Sequence, residues 1–350
     1  MTLDPRPTPK TSEFHGRHGR CFVKSNMPPK STDNLAIDFA TTNAHAPAPS
    51  QKKPHLYVAT AEKTDDDAML GQFIPIHYHY QMLDQEQRIG NFEKAIAYAV
   101  KPGMKVVELG GGTGVLSFFA ARAGASKVWC VERIPHVAQA AKKFIAANHM
   151  ANQVEVIECD ANAFLPPEPV DVVICEMLHT AMLREKQLAV IDGFKKRYIA
   201  KFGGPLPRFI PEAAVMAMQP VFANYDFHGY NAAVPMFVDA SNAHRVNDLA
   251  EPAIYSLFQY EGDYATHFEV DHCAEIEHFG VINALRFKTK NLLTIVAEEK
   301  RSIDWDMYDL VIPLAKPVEV SPGDMIRIRF RYDAGDSLLA LAESIDGDDA

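Results

Sequence analysis

The 350-residue chain has few of the features that mark membrane proteins, disulfide-rich secreted proteins or general nucleic-acid binders. No stretch offers the roughly 18 uninterrupted apolar residues of a membrane-spanning helix, and the polar N-terminus has no signal-peptide core. The five cysteines include no C-x-x-C pair, so we expect reduced thiols, no metal centre and a cytoplasmic location. A net charge of −10 argues against nucleic-acid binding, which needs a basic face, and is compatible with cationic substrates.

The pattern along the chain predicts two structured domains between two tails. Residues 1–65 are rich in Pro, Ser, Thr and Ala, and we expect a disordered or loosely attached segment there. Residues 66–204 alternate strand and helix patterns, which predicts an α/β domain with a Rossmann-like, doubly wound parallel sheet. Residues 205–343 hold short β-type segments, which predict an all-β barrel or sandwich. The acidic residues 344–350 are expected to be a frayed terminus.

The central feature is residues 105–133, KVVELGGGTGVLSFFAARAGASKVWCVER. They predict a strand, a glycine-rich turn, a helix and a second strand, which make one parallel βαβ unit with a binding loop after its first strand. Glycines at positions 110, 112 and 114 permit unusual backbone angles and remove Cβ atoms that would block a ligand. Glu132 ends the second strand, where it can accept hydrogen bonds from both hydroxyls of a ribose.

The spacing of these glycines favours one nucleoside cofactor over another. A dinucleotide fingerprint needs G-x-G-x-x-G, and the residue three after Gly112 is Val115. S-adenosylmethionine has no phosphate, and its ammonium and sulfonium favour a nearby carboxylate such as Glu108. The E-x-G-G-G-x-G pattern resembles motif I of the class I methyltransferases. It favours S-adenosylmethionine over a nicotinamide cofactor or a turn that binds nothing.

Acidic residues end four successive predicted strands, and ligands of open α/β sheets bind along that edge. They are Glu108, Glu132, Asp160 and Glu176. Asp160 is placed to accept a hydrogen bond from an adenine amino group. A helix predicted over about 181–194 follows the fourth strand and carries Glu185.

Glu176 and Glu185 are nine positions apart, and the residues between them could aim both carboxylates into one pocket. This arrangement resembles the double-glutamate loop of the protein arginine methyltransferases. A guanidinium stays protonated at physiological pH, and its delocalised charge makes it a poor nucleophile. Two carboxylates can hold it by charge-assisted hydrogen bonds and leave one nitrogen facing the methyl group of the cofactor.

The resemblance extends to two further segments. Met82-Leu83 and Arg88, on a helix predicted over 81–100, are similar to the N-terminal helix of the family. By that resemblance Arg88 binds the carboxylate of the cofactor and Met82 lies near the transferred methyl. Trp305, in Ile303-Asp304-Trp305, resembles the tryptophan of the Thr-His-Trp loop of the family and could form a wall of the substrate pocket.

Three departures bear on the substrate. The family pattern Trp-Met-Gly after the first glutamate is Met177-Leu178-His179 here, its second active-site methionine is Gln187, and its loop histidine is Asp304. His179 could act as a base or reshape the pocket for another acceptor. The dimerisation arm of the family would fall in 226–250, which is short here and is expected to be a helical insertion, so a homodimer stays open.

The resemblance therefore implies an S-adenosylmethionine-dependent methyltransferase that acts on arginine in a protein or peptide, with Glu176 and Glu185 as catalytic residues. Two alternatives remain open on the sequence. One is methyl transfer to a small molecule or another nitrogen or oxygen acceptor on the same scaffold. The other is a cofactor-binding or regulatory homologue without turnover, because the altered loops depart from the pattern of the family.

Overall fold

The computed structural model describes residues 76–349, and the prediction for residues 1–65 lies outside them. The first half of the described chain alternates helices and strands. In chain order its elements are α1 (Ile76–Asp84), α2 (Glu86–Ala99), β1 (Lys105–Leu109), α3 (Val115–Arg122), β2 (Lys127–Glu132), α4 (Pro135–Ala147), β3 (Val154–Glu158), β4 (Val172–Cys175), α5 (Gln187–Phe202) and β5 (Arg208–Ile210). No helix of residues 76–349 is both long enough and apolar enough to cross a membrane.

The five strands of this half form one parallel sheet in the order β3-β2-β1-β4-β5. The central strands β1 and β4 are buried over nearly their whole length, as expected for a sheet covered by helices on both faces. The strand order changes direction beside β1, so the glycine-rich loop after β1 lies at the switch point where ligands bind. The predicted Rossmann-like α/β fold is confirmed.

The second half is rich in antiparallel strands, as predicted. Its strands are β6 (Ala213–Ala223), β7 (Asp226–Phe227), β8 (Tyr230–Asn231), β9 (Met236–Val238), β10 (Val246–Asp248), β11 (Ala253–Gln259), β12 (His267–Glu275), β13 (Gly280–Val296), β14 (Arg301–Asp306), β15 (Asp309–Val320), β16 (Met325–Asp333) and β17 (Asp346–Asp349), with helix α6 (Leu338–Ser344) before the last. They pair into a seven-stranded sheet around β6, β13 and β15, a three-stranded sheet of β12, β16 and β17, and the hairpin β7–β8.

The two halves share polar contacts across α5. The buried ammonium of Lys195 donates to the carbonyl oxygens of Tyr260 (3.1 Å) and Gly262 (2.5 Å). The amide of Gln187 donates to the Tyr260 hydroxyl (3.0 Å) and accepts from the Met177 backbone N–H (2.8 Å). Because buried donors and acceptors are costly when unpaired, these bonds fix the start and middle of α5 against the β-rich half.

Two predictions about helices were wrong in ways that matter for the site. The helix predicted over 181–194 begins only at Gln187 and continues to Phe202, so Glu185 lies in the loop before it. The helix predicted over 81–100 is two helices, α1 and α2, with Gln85 between them. In both places apolar residues continue at helical spacing, but contacts made elsewhere in the fold decide where the helix starts.

Three further boundaries also differ from the prediction. The segment 226–250 holds the short strands β7 to β10 and a 3₁₀ turn rather than an α-helix. The domain boundary predicted after 204 is too early, since β5 at 208–210 still belongs to the parallel sheet. The acidic terminus forms β17, which pairs with β16, so it is not frayed at 346–349.

Candidate active site

A cavity of about 340 Å³ lies at the carboxyl edge of the parallel sheet. Side chains from this edge, from α1 and α2, and from the β-rich half line it. Of the residues selected from the sequence, the lining includes Met82, Arg88, Glu108, Gly110, Gly112, Glu132, Asp160, Glu176, His179, Glu185 and Trp305. The structure thus brings together residues that are up to 223 positions apart along the chain.

The glycine-rich loop has no room for side chains on its cavity face. Gly110 and Gly112 have φ of +78° and +52°, which favour glycine. A Cβ atom on Gly110 would lie 2.8 Å from the Met177 side chain, and one on Gly112 would lie 3.0 Å from the His79 imidazole. The sequence requirement for glycine at both positions therefore has a direct steric cause.

Gly114 has a different role from the one predicted. It also has a positive φ, +81°, but it lies at the start of α3 and outside the cavity lining. A Cβ atom there would lie 3.3 Å from Ile145 on α4. Because Gly114 has no Cβ atom, the loop packs closely on α4, and Gly114 shapes the cofactor loop without facing the cavity.

Glu132 holds the far side of the loop. Its carboxylate accepts hydrogen bonds from the backbone N–H of Gly112 (2.9 Å) and of Ile134 (2.7 Å). Asp160, at the next strand end, accepts from the backbone and side-chain nitrogens of Asn162 (2.8 and 3.1 Å). Both residues line the cavity, and their contacts with a ribose and an adenine stay predictions.

Glu108 is turned toward helix α3. Its carboxyl group accepts hydrogen bonds from the backbone N–H of Ser117 (2.9 Å) and from the Ser117 hydroxyl. Burial raises the pKa of Glu108 to about 8, against the opposing effect of these hydrogen bonds and of the Cys130 thiol. Glu108 therefore also has a structural role, because it connects the end of β1 to α3. Its contact with a cationic group of the cofactor stays a prediction.

The raised pKa of Glu108 predicts a pH-dependent stability. The folded protein binds a proton at Glu108 that the unfolded chain releases above about pH 4.5, so this stabilisation is fully present below that pH and is lost as the pH rises through about 8. Glu108→Gln should reduce the fall in melting temperature between pH 5 and 8.5. The pH-dependent part of the free energy of unfolding that it removes is on the order of a few kcal/mol. Calorimetric unfolding scans of both proteins measure this, and parallel curves would contradict it.

Glu176 and Glu185 lie on either side of a loop that enters the cavity. Glu176 forms an ion pair with the guanidinium of Arg88 on α2. Burial raises the pKa of Glu176, while Arg88 opposes that shift. Burial and the charge of Glu176 raise the pKa of Glu185 to about 8. The site therefore holds two carboxyl groups of raised pKa beside one arginine, and this group of three gains a net negative charge when Glu185 ionises.

The backbone between the two glutamates has an unusual conformation. Ala181, Met182 and Arg184 all have φ between +55° and +59°, a region that costs non-glycine residues about 1–2 kcal/mol each. Hydrogen bonds from the β-rich half hold them there. These bonds join Ala181 N–H to Thr289 Oγ1 (2.8 Å), the Thr180 hydroxyl to the Tyr308 carbonyl (2.7 Å), Arg184 N–H to the Asp336 carbonyl (2.8 Å) and Gly335 N–H to the Met182 carbonyl (2.8 Å).

Aromatic rings also line the cavity. Trp305 is buried in β14, and the guanidinium carbon of Arg88 lies 4.9 Å from its ring centroid. His179 meets the Phe237 ring edge-on, with centroids 5.5 Å apart. Tyr308 also lines this wall. The wall is suited to a flat cation, which is attracted to aromatic faces.

Gln187 and Asp304 lie behind this site. Gln187, which replaces a methionine of the family pattern, is buried beside Tyr260 and is not part of the lining. Asp304 forms an ion pair with Lys290 (3.1 Å), and its backbone carbonyl accepts from Asn91 on α2 (2.8 Å). Neither side chain is placed to contact an acceptor in the cavity.

Sequence reasoning missed many of the lining residues, three of which bear on the contacts described above. His79 lies on α1 beside Gly112, and Phe237 and Tyr308 come from the β-rich half. The position of His79, three residues before Met82 and so on the same helix face, was an available signal. Phe237 and Tyr308 carry no local signal, because only strand pairing of β9 with β15 brings them to the cavity.

Comparisons with known proteins agree with this geometry. Residues 92–189 match the model of the ribosomal protein L11 methyltransferase (PrmA) family. An uncharacterized protein of Methanocaldococcus jannaschii is 28% identical over 75% of this chain and 95% of its own length. Protein arginine N-methyltransferase 6 of Danio rerio is 31% identical over 41% of this chain and 42% of its own length. The chain therefore spans less than half of that curated relative.

Solved structures share the whole architecture. The Trypanosoma brucei PRMT1 enzyme–prozyme heterotetrameric complex with AdoHcy gives a TM-score of 0.60 at 19% identity, covering 77% of this chain and 96% of that one. Arabidopsis thaliana protein arginine methyltransferase 10 gives 0.62 at 18% identity, covering 74% and 88%. This chain is an S-adenosylmethionine-dependent methyltransferase similar to the protein arginine methyltransferases. The methyltransferase fold thus extends through the β-rich half.

The residues of the methyltransferase fit S-adenosylmethionine. Gly110 and Gly112 line the cavity without side chains that would narrow it, and the carboxylates of Glu132 and Asp160 line the same cavity. Arg88, which lines the same cavity, would provide a cation for the carboxylate of the cofactor. When bound, the cofactor supplies an electrophilic methyl group on a sulfonium.

Proposed function

We propose that the methyltransferase transfers a methyl group to a guanidinium nitrogen of arginine in a protein or peptide. The observation that carries this proposal is the pair of half-buried carboxyl groups, Glu176 and Glu185, at the ends of one constrained loop. When both carboxyl groups are ionised beside the single Arg88, one negative charge stays uncompensated unless the acceptor is a cation, and an uncompensated charge in such a site is unfavourable. A guanidinium compensates it and also matches the fork geometry of carboxylates.

The remaining wall supports the same acceptor. Trp305 and Tyr308 offer aromatic faces to a planar cation. Arg88, already paired with Glu176 and adjacent to Trp305, shows that a guanidinium fits this environment. The two glutamates would hold two nitrogens of the acceptor and orient the third toward the methyl group, so that positioning contributes most of the rate increase.

The proton balance of the site also favours a cationic acceptor. With a pKa of about 8, Glu185 is largely protonated at neutral pH in the free protein. An arriving guanidinium lowers that pKa by its positive charge. Glu185 therefore releases its proton when the acceptor binds. We infer that acceptor binding strengthens as the pH rises toward 8.

A small-molecule acceptor is the second candidate. His179 and Phe237 place two rings in contact at the cavity wall, where the family pattern has a glycine at the first of these positions. That contact would restrict a bulky polypeptide more than a small cation.

We also propose a cytoplasmic location, because the cysteines of the described chain, at 130, 159, 175 and 273, are all free.

The test combines binding and transfer. Calorimetric titration with S-adenosylmethionine should show binding, and labelled methyl from the cofactor should enter an arginine-containing peptide mixture and survive acid hydrolysis as methylarginine. The matched peptide mixture with lysine in place of arginine should stay unlabelled. Cofactor binding without peptide labelling, followed by labelling of a small-molecule extract, would replace the arginine proposal by the second candidate.

A further inference from the structure

His179 lies between the two glutamates, and the geometry assigns its tautomer. Its ring lines the cavity, and Nδ1 lies 3.0 Å from the Thr180 carbonyl oxygen. A carbonyl can only accept, so Nδ1 must carry the hydrogen and Nε2 has the lone pair. Within residues 76–349 the hydrogen bond recorded for this imidazole is the one at Nδ1. Nε2 therefore remains a hydrogen-bond acceptor at the cavity wall.

The surroundings of His179 keep the imidazole neutral. Burial lowers its pKa, the hydrogen bond to the Thr180 carbonyl opposes that shift, and the positive charge of Arg184 lowers the pKa further. The other ionisable groups of the lining near this loop are Glu176, Glu185, Lys186 and Arg88, and the strand side contributes Tyr308. The edge contact with Phe237 restrains the ring from the β-rich half. A restrained neutral imidazole is well suited to accept a proton near neutral pH.

Methylation of a guanidinium releases a proton that the site must remove. The attacking nitrogen forms a C–N bond while the C–S bond breaks, and the electron pair of that bond stays on sulfur. The nitrogen then carries a methyl group, its hydrogens and an additional positive charge, which is relieved when one N–H proton leaves. Protonation of Glu176 or Glu185 would remove the charges by which they hold the guanidinium, so a separate acceptor for this proton keeps both carboxylates charged.

We propose that His179 is a catalytic residue that accepts this proton on Nε2 and becomes an imidazolium. The inference rests on the proposed function and adds a base to it. The proton then passes to solvent at the cavity opening, where the neutral imidazole is regenerated. In this chain the histidine is on the loop between the glutamates, while the strand position 304 is an aspartate that pairs with Lys290.

His179→Asn tests the proposal with little change in shape. The asparagine amide can still donate to the Thr180 carbonyl but has no group at the position of Nε2. We expect kcat to fall about 100-fold, in the range for loss of a general base, with unchanged calorimetric affinity for S-adenosylmethionine. The matched control is His278→Asn, at an exposed histidine between β12 and β13, which should keep wild-type kcat.

Three readouts separate a base from a merely structural histidine. In a plot of log kcat/KM against pH, the wild-type protein should have a slope of one below pH 8, where Glu185 takes up a proton, and a slope of two below the pKa of His179. His179→Asn should keep a slope of one throughout. Added imidazole should restore part of the activity of His179→Ala. In the cofactor-free protein, NMR of the imidazole nitrogens should show an unprotonated Nε2 at pH 7.

The outcomes distinguish this inference from the proposed function. If the wild-type protein methylates no arginine peptide, the proposed function fails, whatever the variant does. If the wild-type protein is active and His179→Asn keeps its rate and its two-proton acid limb, His179 is not the base. An Nε2-protonated neutral ring in the NMR spectrum would overturn the assignment independently of activity.

Discussion

Glu185→Gln should abolish more than about 99% of methyl transfer to arginine while the affinity for S-adenosylmethionine stays within about twofold. The substitution keeps the shape of the side chain and removes its charge. Glu185 is buried, and its pKa is shifted first by burial and then by the charge of Glu176, so it lies in a region where electrostatic interactions are strong. Loss of one such group from a preorganised site costs about 10²–10³ in rate.

The measurement is single-turnover transfer with saturating cofactor, together with calorimetric titration of the cofactor. Glu251→Gln, at an exposed position between β10 and β11, is the matched control and should retain full activity. A Glu185→Gln protein that turns over at the wild-type rate would reject the proposed role of the two glutamates and leave the fold and cofactor assignments intact.

Glu132→Gln should weaken S-adenosylmethionine binding by at least about tenfold. The carboxylate accepts from two backbone N–H groups, Gly112 and Ile134, and it lines the cavity beside the glycine loop. An amide has one oxygen, so its NH₂ group would face one of these donors. An unsatisfied donor costs about 1–3 kcal/mol, and the distortion falls on the loop that contacts the cofactor.

Calorimetric titration measures this effect directly. The control is Glu158→Gln, because Glu158 is the register partner of Glu132 on β3 and its side chain is exposed. Equal cofactor affinity in the two variants would show that Glu132 serves neither the loop nor the cofactor. Loss of affinity in Glu132→Gln with an unchanged melting temperature would place the defect in binding rather than in folding.

Local chemistry explains which parts of the site could be predicted from sequence. Gly110 and Gly112 occupy backbone angles that favour glycine, so the residue type itself reports the turn. Glu132 ends the buried strand β2 and Asp160 comes two residues after β3, and the parallel arrangement places these strand ends on one edge. The position of these groups depends on interactions within the βαβ unit, which a sequence pattern records.

Long-range contacts explain what could not be predicted. The ion pair of Arg88 with Glu176 joins residues 88 positions apart. The loop before α5 reads as helix in sequence, yet hydrogen bonds from Thr289 and Tyr308 hold it in left-handed backbone conformations. Phe237 reaches the cavity only through pairing of β9 with β15. Such contacts override local propensity and leave no periodic signal.

The anchoring of the loop between Glu176 and Glu185 has an evolutionary consequence. Its supporting hydrogen bonds come from Thr289, Tyr308 and residues 335–336, whereas the glycine loop depends on Glu132 and β2. Substitutions can therefore change one of these two parts without changing the other. Substitutions in the β-rich half can alter which acceptor is accepted while the ancestral donor site is retained, so new specificities can arise without rebuilding the methyl-donor machinery.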